Sequence, residues 1–107
     1  MSAAWVYILR CSDGSLYTGW SVDLGRRLAL HRAGKASRYT ASRRPFELAL
    51  ALTVRDRTAA RREEARIKRL DRAAKLALID AFDARASRAR ERDGARPGAA
   101  GEGVDGA

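Results

Sequence analysis

Trp5-Val6-Tyr7-Ile8-Leu9 and Leu16-Tyr17-Thr18-Gly19 flank the turn Ser12-Asp13-Gly14-Ser15. Both flanking segments are rich in β-branched, aromatic and large apolar side chains. Asp-Gly between two such runs is a strong short-range hairpin signal. The pattern predicts antiparallel strands over residues 4–10 and 15–19. Side chains alternate between the two faces of a strand, so Tyr7 and Tyr17 on neighbouring strands can project to one side. Taken alone, two strand tyrosines read as packing residues, because aromatics suit a half-buried pleated surface.

Outward from the hairpin, Ser21 is a plausible N-cap for a helix to about Arg32, with Leu24 and Leu28 on its buried face. Gly34 can end that helix with a left-handed residue. Residues 35–45 read as a basic, turn-rich loop. Phe46 to Val54 follow as a third strand, favoured by Pro45 before it and Thr53-Val54 at its end. Thr58 can cap a second helix to about Leu70, and Asp71 a third to about Phe82, whose apolar stripe is Leu76, Ile79 and Phe82, extended by Ala73. The prediction is an α+β fold: a small three-stranded, mainly antiparallel sheet flanked by helices, in the order β-β-α-β-α-α. Past Asp83, Arg-Ala runs give way to glycine and proline with little apolar bulk. A domain over residues 1–83 and a disordered Arg/Gly-rich tail over 84–107 are expected.

A chain of 107 residues supports one such domain. Its net charge is +9, and the tail's five arginines against four acids contribute only +1, so +8 falls on residues 1–83. Charge of that sign and density suits a polyphosphate, since Lys and Arg gain affinity by releasing condensed counterions. The single cysteine, Cys11, excludes an intramolecular disulfide and a thiolate-rich zinc site. Neither a signal sequence nor an apolar run near the ~18 residues of a membrane span is found. A cytoplasmic protein without membrane attachment or an obligate protein partner is expected.

Candidate chemistry gathers on three elements. Arg27 and His31, the one histidine, are four apart on the first predicted helix and share a face. Arg27 borders the Leu24–Leu28 stripe, where an arginine can lay its stem on the core and aim its head at an anion. On the second predicted helix, Glu63 falls near the middle of the stripe Ala59, Ala60, Ile67 and Leu70, and Glu64 at its edge. Ion pairing with nearby arginines accounts for much of that pattern, and phase alone leaves the choice of metal-binding carboxylate open.

Val6-Tyr7 and Tyr17-Thr18-Gly19 resemble the paired motifs for which the GIY-YIG nuclease family is named. The resemblance continues through Asp23-Leu24-Gly25-Arg26-Arg27-Leu28, His31, Gly34-Lys35 and Tyr39-Thr40. It resumes at Arg43-Arg44-Pro45, from Ala60 through Glu64 to Ile67-Lys68, and at Lys75, covering roughly residues 4–80. It is nearest to the small stand-alone branch of the family. Trp5-Val6 stand where the namesake has glycine and isoleucine, which leaves Tyr7 in place.

This resemblance implies catalytic roles for Tyr7, Tyr17, Arg27 and His31. It also selects Glu64 as the metal ligand, three residues before Ile67 and four before Lys68. One divalent cation, Mg²⁺ or Mn²⁺, is implied, with the base either Tyr7 or a hydroxide on that metal. Lys35, Arg38, Arg43, Arg44 and Lys68 are expected to track a nucleic-acid backbone, DNA rather than RNA, without reading sequence. The implied activity is endonucleolytic hydrolysis of DNA, selective for structure, in repair or processing. The alternative is a basic DNA- or RNA-binding module that keeps the fold without turnover.

Overall fold

A computed structural model describes residues 3–92. The elements are β1 (Ala4–Cys11), β2 (Leu16–Ser21), α1 (Leu24–Arg32), α2 (Arg38–Ala41), β3 (Phe46–Val54), α3 (Arg57–Lys68) and α4 (Arg72–Arg92). One sheet runs in the order β2-β1-β3, with both pairings antiparallel. The predicted α+β class and element order hold, with the short α2 added inside the basic loop.

The hairpin closes as its sequence dictates. Gly14 adopts φ +84°, the left-handed conformation that glycine enters at no steric cost. The Cys11 amide donates to Ser15 O and the Gly14 amide to Cys11 O, both at 2.9 Å. The Asp13 carboxylate accepts from the Ser15 amide at 3.0 Å and its hydroxyl at 2.6 Å.

Element ends differ from expectation where a stronger local competitor exists. β2 runs on through Trp20 and Ser21, paired with Val6 and Trp5, so Ser21 is not the cap of α1. Asp23 caps it instead, accepting from the Arg26 amide at 3.1 Å. Asp56 rather than Thr58 caps α3, accepting from the Ala59 amide at 2.8 Å. Asp71 accepts from the Ala74 amide at 2.9 Å, the cap predicted for α4. That helix continues to Arg92, so residues 84–92 are helical rather than part of a disordered tail. Their alternating Ala and Arg are good helix formers, and no glycine interrupts them before residue 94. The rest of the expected tail, 93–107, lies outside the described residues.

Strand alternation divides the core into two clusters. Ala4, Val6, Ile8 and Leu50 pack with Ala60 and Ile67 of α3 and Ile79 of α4. Tyr7 and Leu9, on the opposite face of β1, pack with Leu28 of α1. Both faces of the sheet are therefore covered, but β2 lies at its edge, so groups on α1 and α3 can meet around that strand. Among the described residues no helix is long and apolar enough to cross a membrane.

Thr18 of β2 pairs with Ile8 and is only 4 % exposed, and its hydroxyl has no hydrogen-bond partner among the described residues. A buried unpaired hydroxyl costs about 1–3 kcal/mol, and valine has nearly the same shape. Thr18→Val should therefore stabilise the fold by about 1 kcal/mol and raise Tm by about 4–8 °C. Thermal melting followed by circular dichroism checks this; an unchanged or lower Tm would show that the hydroxyl is satisfied.

Candidate active site

The β1–β2 register sets Tyr7 opposite Gly19 and Leu9 opposite Tyr17, so both tyrosines lie on one face, diagonally related. A Cβ at residue 19 would sit 2.5 Å from Tyr7 Oη and 2.7 Å from its Cζ. Glycine there is thus a steric requirement: it lets the phenol lie flat across the edge strand. The phenol reaches a cleft of about 440 Å³, lined also by Tyr17, Arg27 of α1, and Arg57 and Glu64 of α3. Trp20, Ser21 and Val22, at and after the end of β2, complete the wall.

Glu64 follows Ala60 by four residues and precedes Ile67 by three. Both neighbours are fully buried and seat that face of α3 on the sheet. The Glu64 side chain is consequently 22 % exposed and opens into the cleft. The adjacent Glu63 is committed elsewhere, accepting from Arg66 Nε at 2.9 Å and Nη2 at 2.8 Å. That fork of donors holds the Glu63 carboxyl below its usual range. Of the two carboxylates, Glu64 is the one that lines the cleft.

His31 stands behind the cleft wall, 1 % exposed. Its Nε2 is 2.8 Å from Tyr7 Oη and its Nδ1 is 2.8 Å from Thr40 Oγ1. Its ring meets those of Tyr7 and Tyr17 edge-on, at centroid separations of 5.7 and 5.3 Å. The Thr40 hydroxyl donates to Ser37 O at 3.3 Å, so it accepts from Nδ1–H. Nε2 of the neutral ring is then a lone pair that accepts the Tyr7 O–H.

Electrostatics keep both partners neutral. Burial, reinforced by Tyr17 and Glu64 and opposed by Arg27, holds the Tyr7 phenol far above its usual value. Burial, and then the Arg27 charge, push the His31 imidazole below 6.5. Both directions favour the neutral phenol and the neutral imidazole. The Tyr7 proton has an acceptor in His31 Nε2, 2.8 Å away.

The residue types at Glu64 fit a hard divalent cation. Among the described residues no three His, Cys, Asp or Glu side chains converge, and the cleft offers one carboxylate. Mg²⁺ and Mn²⁺ are held in this way, by one or two carboxylates with water and substrate phosphate completing the sphere. Lys68 Nζ lies 3.6 Å from Glu64 Oε2, so an ammonium already faces this carboxylate.

The basic residues expected along a nucleic-acid path divide into two groups. Arg43 donates to Asp13 Oδ2 and Tyr39 O, both at 3.0 Å, and lies 3.8 Å over the Tyr39 ring. Arg44 donates to Arg32 O at 2.9 Å and Ala41 O at 3.0 Å, beneath Gly34, whose φ of +75° matches the predicted helix end. These two guanidiniums staple α1, α2 and the hairpin together. Lys35 and Arg38 are exposed around α2, outside the cleft wall, and Lys68 borders it through Glu64.

Three residues of the site have no role assigned from the sequence, although Tyr39 and Thr40 belong to the stretch that carries the resemblance. Thr40 orients His31, and Tyr39 stacks on Tyr17 at 5.9 Å with 27° between the rings. Arg57 is the third, and its spacing of seven from Glu64, two helical turns on one face, was a readable signal.

Residues 3–77 match the GIY-YIG catalytic domain family. The chain is 48 % identical over 80 residues to a UPF0213 protein of Syntrophus aciditrophicus, covering 74 % of this chain and 92 % of that one. It is 45 % identical over 74 residues to a UPF0213 protein of Halobacterium salinarum, covering 69 % and 96 %. Among solved structures, the solution NMR structure of a UPF0213 protein from Bacillus halodurans is similar with a TM-score of 0.50 at 40 % identity, over 73 % of this chain and 83 % of that one.

Proposed function

The chain belongs to the GIY-YIG family, and on that premise we propose that it is a metal-dependent endonuclease hydrolysing phosphodiester bonds in DNA. Substrate choice is by structure rather than sequence, in DNA repair or processing. One observation carries this reading: Tyr7, Tyr17, Arg27 and Glu64, from four separate elements, surround a single cleft, with His31 hydrogen-bonded to the rear of Tyr7.

In the proposed reaction a water oxygen attacks phosphorus as the bond to the leaving oxygen breaks, and that oxygen keeps the electron pair and is protonated from solvent. The attacking water gives its proton to Tyr7 Oη while the Tyr7 proton passes to His31 Nε2, so no free phenolate forms. Arg27 braces the phosphoryl oxygens with its planar fork of donors. Tyr17 lines the cleft beside Tyr7, and its stacking on Tyr39 fixes its ring. A divalent cation at Glu64, when bound, supplies Lewis-acid neutralisation of charge on the phosphate. Contacts limited to phosphate read the shape and flexibility of a strand, not its bases.

The test is a cleavage assay on branched, nicked, single-stranded and duplex DNA and on RNA, each with Mg²⁺, Mn²⁺ or EDTA. Wild type should cut DNA only with metal, and Arg27→Ala should cut about a hundredfold more slowly, the usual loss of one charge-stabilising donor. Binding without cutting on every substrate would instead identify a non-catalytic module. Equal cutting by both proteins would trace the activity to a contaminant.

A further inference from the structure

The cleft wall contains two cations among the described residues, Arg27 and Arg57, and only Arg27 was expected there. Most other guanidiniums near the site are committed within the protein. Arg43 and Arg44 are held by Asp13 and main-chain carbonyls, Arg66 by Glu63, and Arg55 lies 3.6 Å from Asp56. Among the described residues Arg57 pairs with no carboxylate and donates to no acceptor, although it lines the same wall as Glu64.

Seven residues separate Arg57 from Glu64, so they lie on one face of α3, about 10 Å apart along its axis at about 1.5 Å per residue. The rise of about 3.4 Å per nucleotide belongs to a stacked duplex strand measured along its axis, and phosphates of an extended single strand lie further apart, so that interval spans about one to two phosphodiester steps. A phosphate bound beside Glu64 and Arg27 would place another one along the strand near Arg57. Val22, 41 % exposed, gives the same cleft an apolar surface for the intervening sugar or base.

We propose that Arg57 forms a second phosphate subsite, holding a phosphodiester about one to two nucleotides along the strand from the one braced by Arg27. The subsite rests on the nuclease reading of this cleft and deepens it. It gives the enzyme a minimum strand length and a direction across the cleft.

Binding in EDTA tests the subsite without turnover. Two-dimensional NMR of the full chain is titrated with the thymidine dinucleotide, which has one phosphate, and with the hexanucleotide, which has five. The hexanucleotide should bind wild type about tenfold more tightly than the dinucleotide, the value of one charge-assisted contact. Arg57→Ala should abolish that increment and leave dinucleotide binding unchanged, with Tyr7 and Arg27 signals still shifting. Arg62→Ala, which removes an equal charge from an exposed position outside the wall, should keep the increment.

An increment surviving Arg57→Ala, or a dinucleotide weakened as much as the hexanucleotide, would overturn the subsite and leave the nuclease reading standing. No shift at the cleft with either oligonucleotide would overturn both.

Discussion

Glu64→Gln should lower metal-dependent cleavage about a thousandfold or more while DNA binding stays intact or tightens. A divalent cation supplies several kcal/mol of transition-state charge stabilisation, and each 1.36 kcal/mol is about tenfold in rate. The cleft offers one carboxylate, so no second acid is placed to replace it. Glutamine keeps the volume and the helical seat between Ala60 and Ile67. It also removes a negative charge that repels the incoming phosphate, which is why affinity should not fall.

Stability should hardly change. The lost partner is Lys68 at 3.6 Å, itself 55 % exposed, and ion pairs at such positions contribute about 1 kcal/mol or less. Glu63→Gln is the matched control. It removes the charge and one of the two acceptors that Glu63 offers Arg66, yet should leave cleavage near the wild-type rate. Manganese titration of both variants separates lost metal affinity from lost chemistry. Unaltered cleavage by Glu64→Gln would remove this carboxylate from the reaction.

What the sequence disclosed and what it withheld follow one physical division. Several local signals held: the Asp13-Gly14 turn, the Gly34 helix end and the Asp71 cap each depend on a few neighbouring residues, whereas Ser21 and Thr58 lost their caps to the nearby Asp23 and Asp56. The diagonal pairing of Tyr7 and Tyr17 followed from hairpin geometry, and Arg27 and His31 shared a face by helical period. Roles created by distant chain segments were not legible. Arg43 and Arg44 look like any exposed basic pair until the hairpin turn and the end of α1 come within their reach. Thr40 gains its role only when α2 folds over His31, and Arg57 only when α3 passes the edge strand. Residues 84–92 continue α4 because their Ala/Arg stretch is itself strongly helix-forming, whatever composition follows it.

Tyr7→Phe should also lower cleavage by about a hundredfold to ten-thousandfold, the usual range for losing a general base, with DNA binding retained. The ring still fills its place against Gly19 and Leu28, so the fold persists. His31 Nε2 loses its donor, and an unsatisfied buried acceptor costs about 1–3 kcal/mol, which should appear as a lower Tm. The pH profile carries the sharper test. His31 is held neutral in the folded protein, its folded value below 6.5 and below that of the unfolded chain. The unfolded chain therefore binds the proton first as pH falls. The stability due to this group is complete above about 6.5 and is lost as pH falls through the folded value. Wild-type cleavage should fall over the same acid interval, because an imidazolium cannot accept the Tyr7 proton. A loss of less than about tenfold in Tyr7→Phe, with no acid limb assignable to His31, would reduce Tyr7 to a group that positions water, since a true base forfeits more.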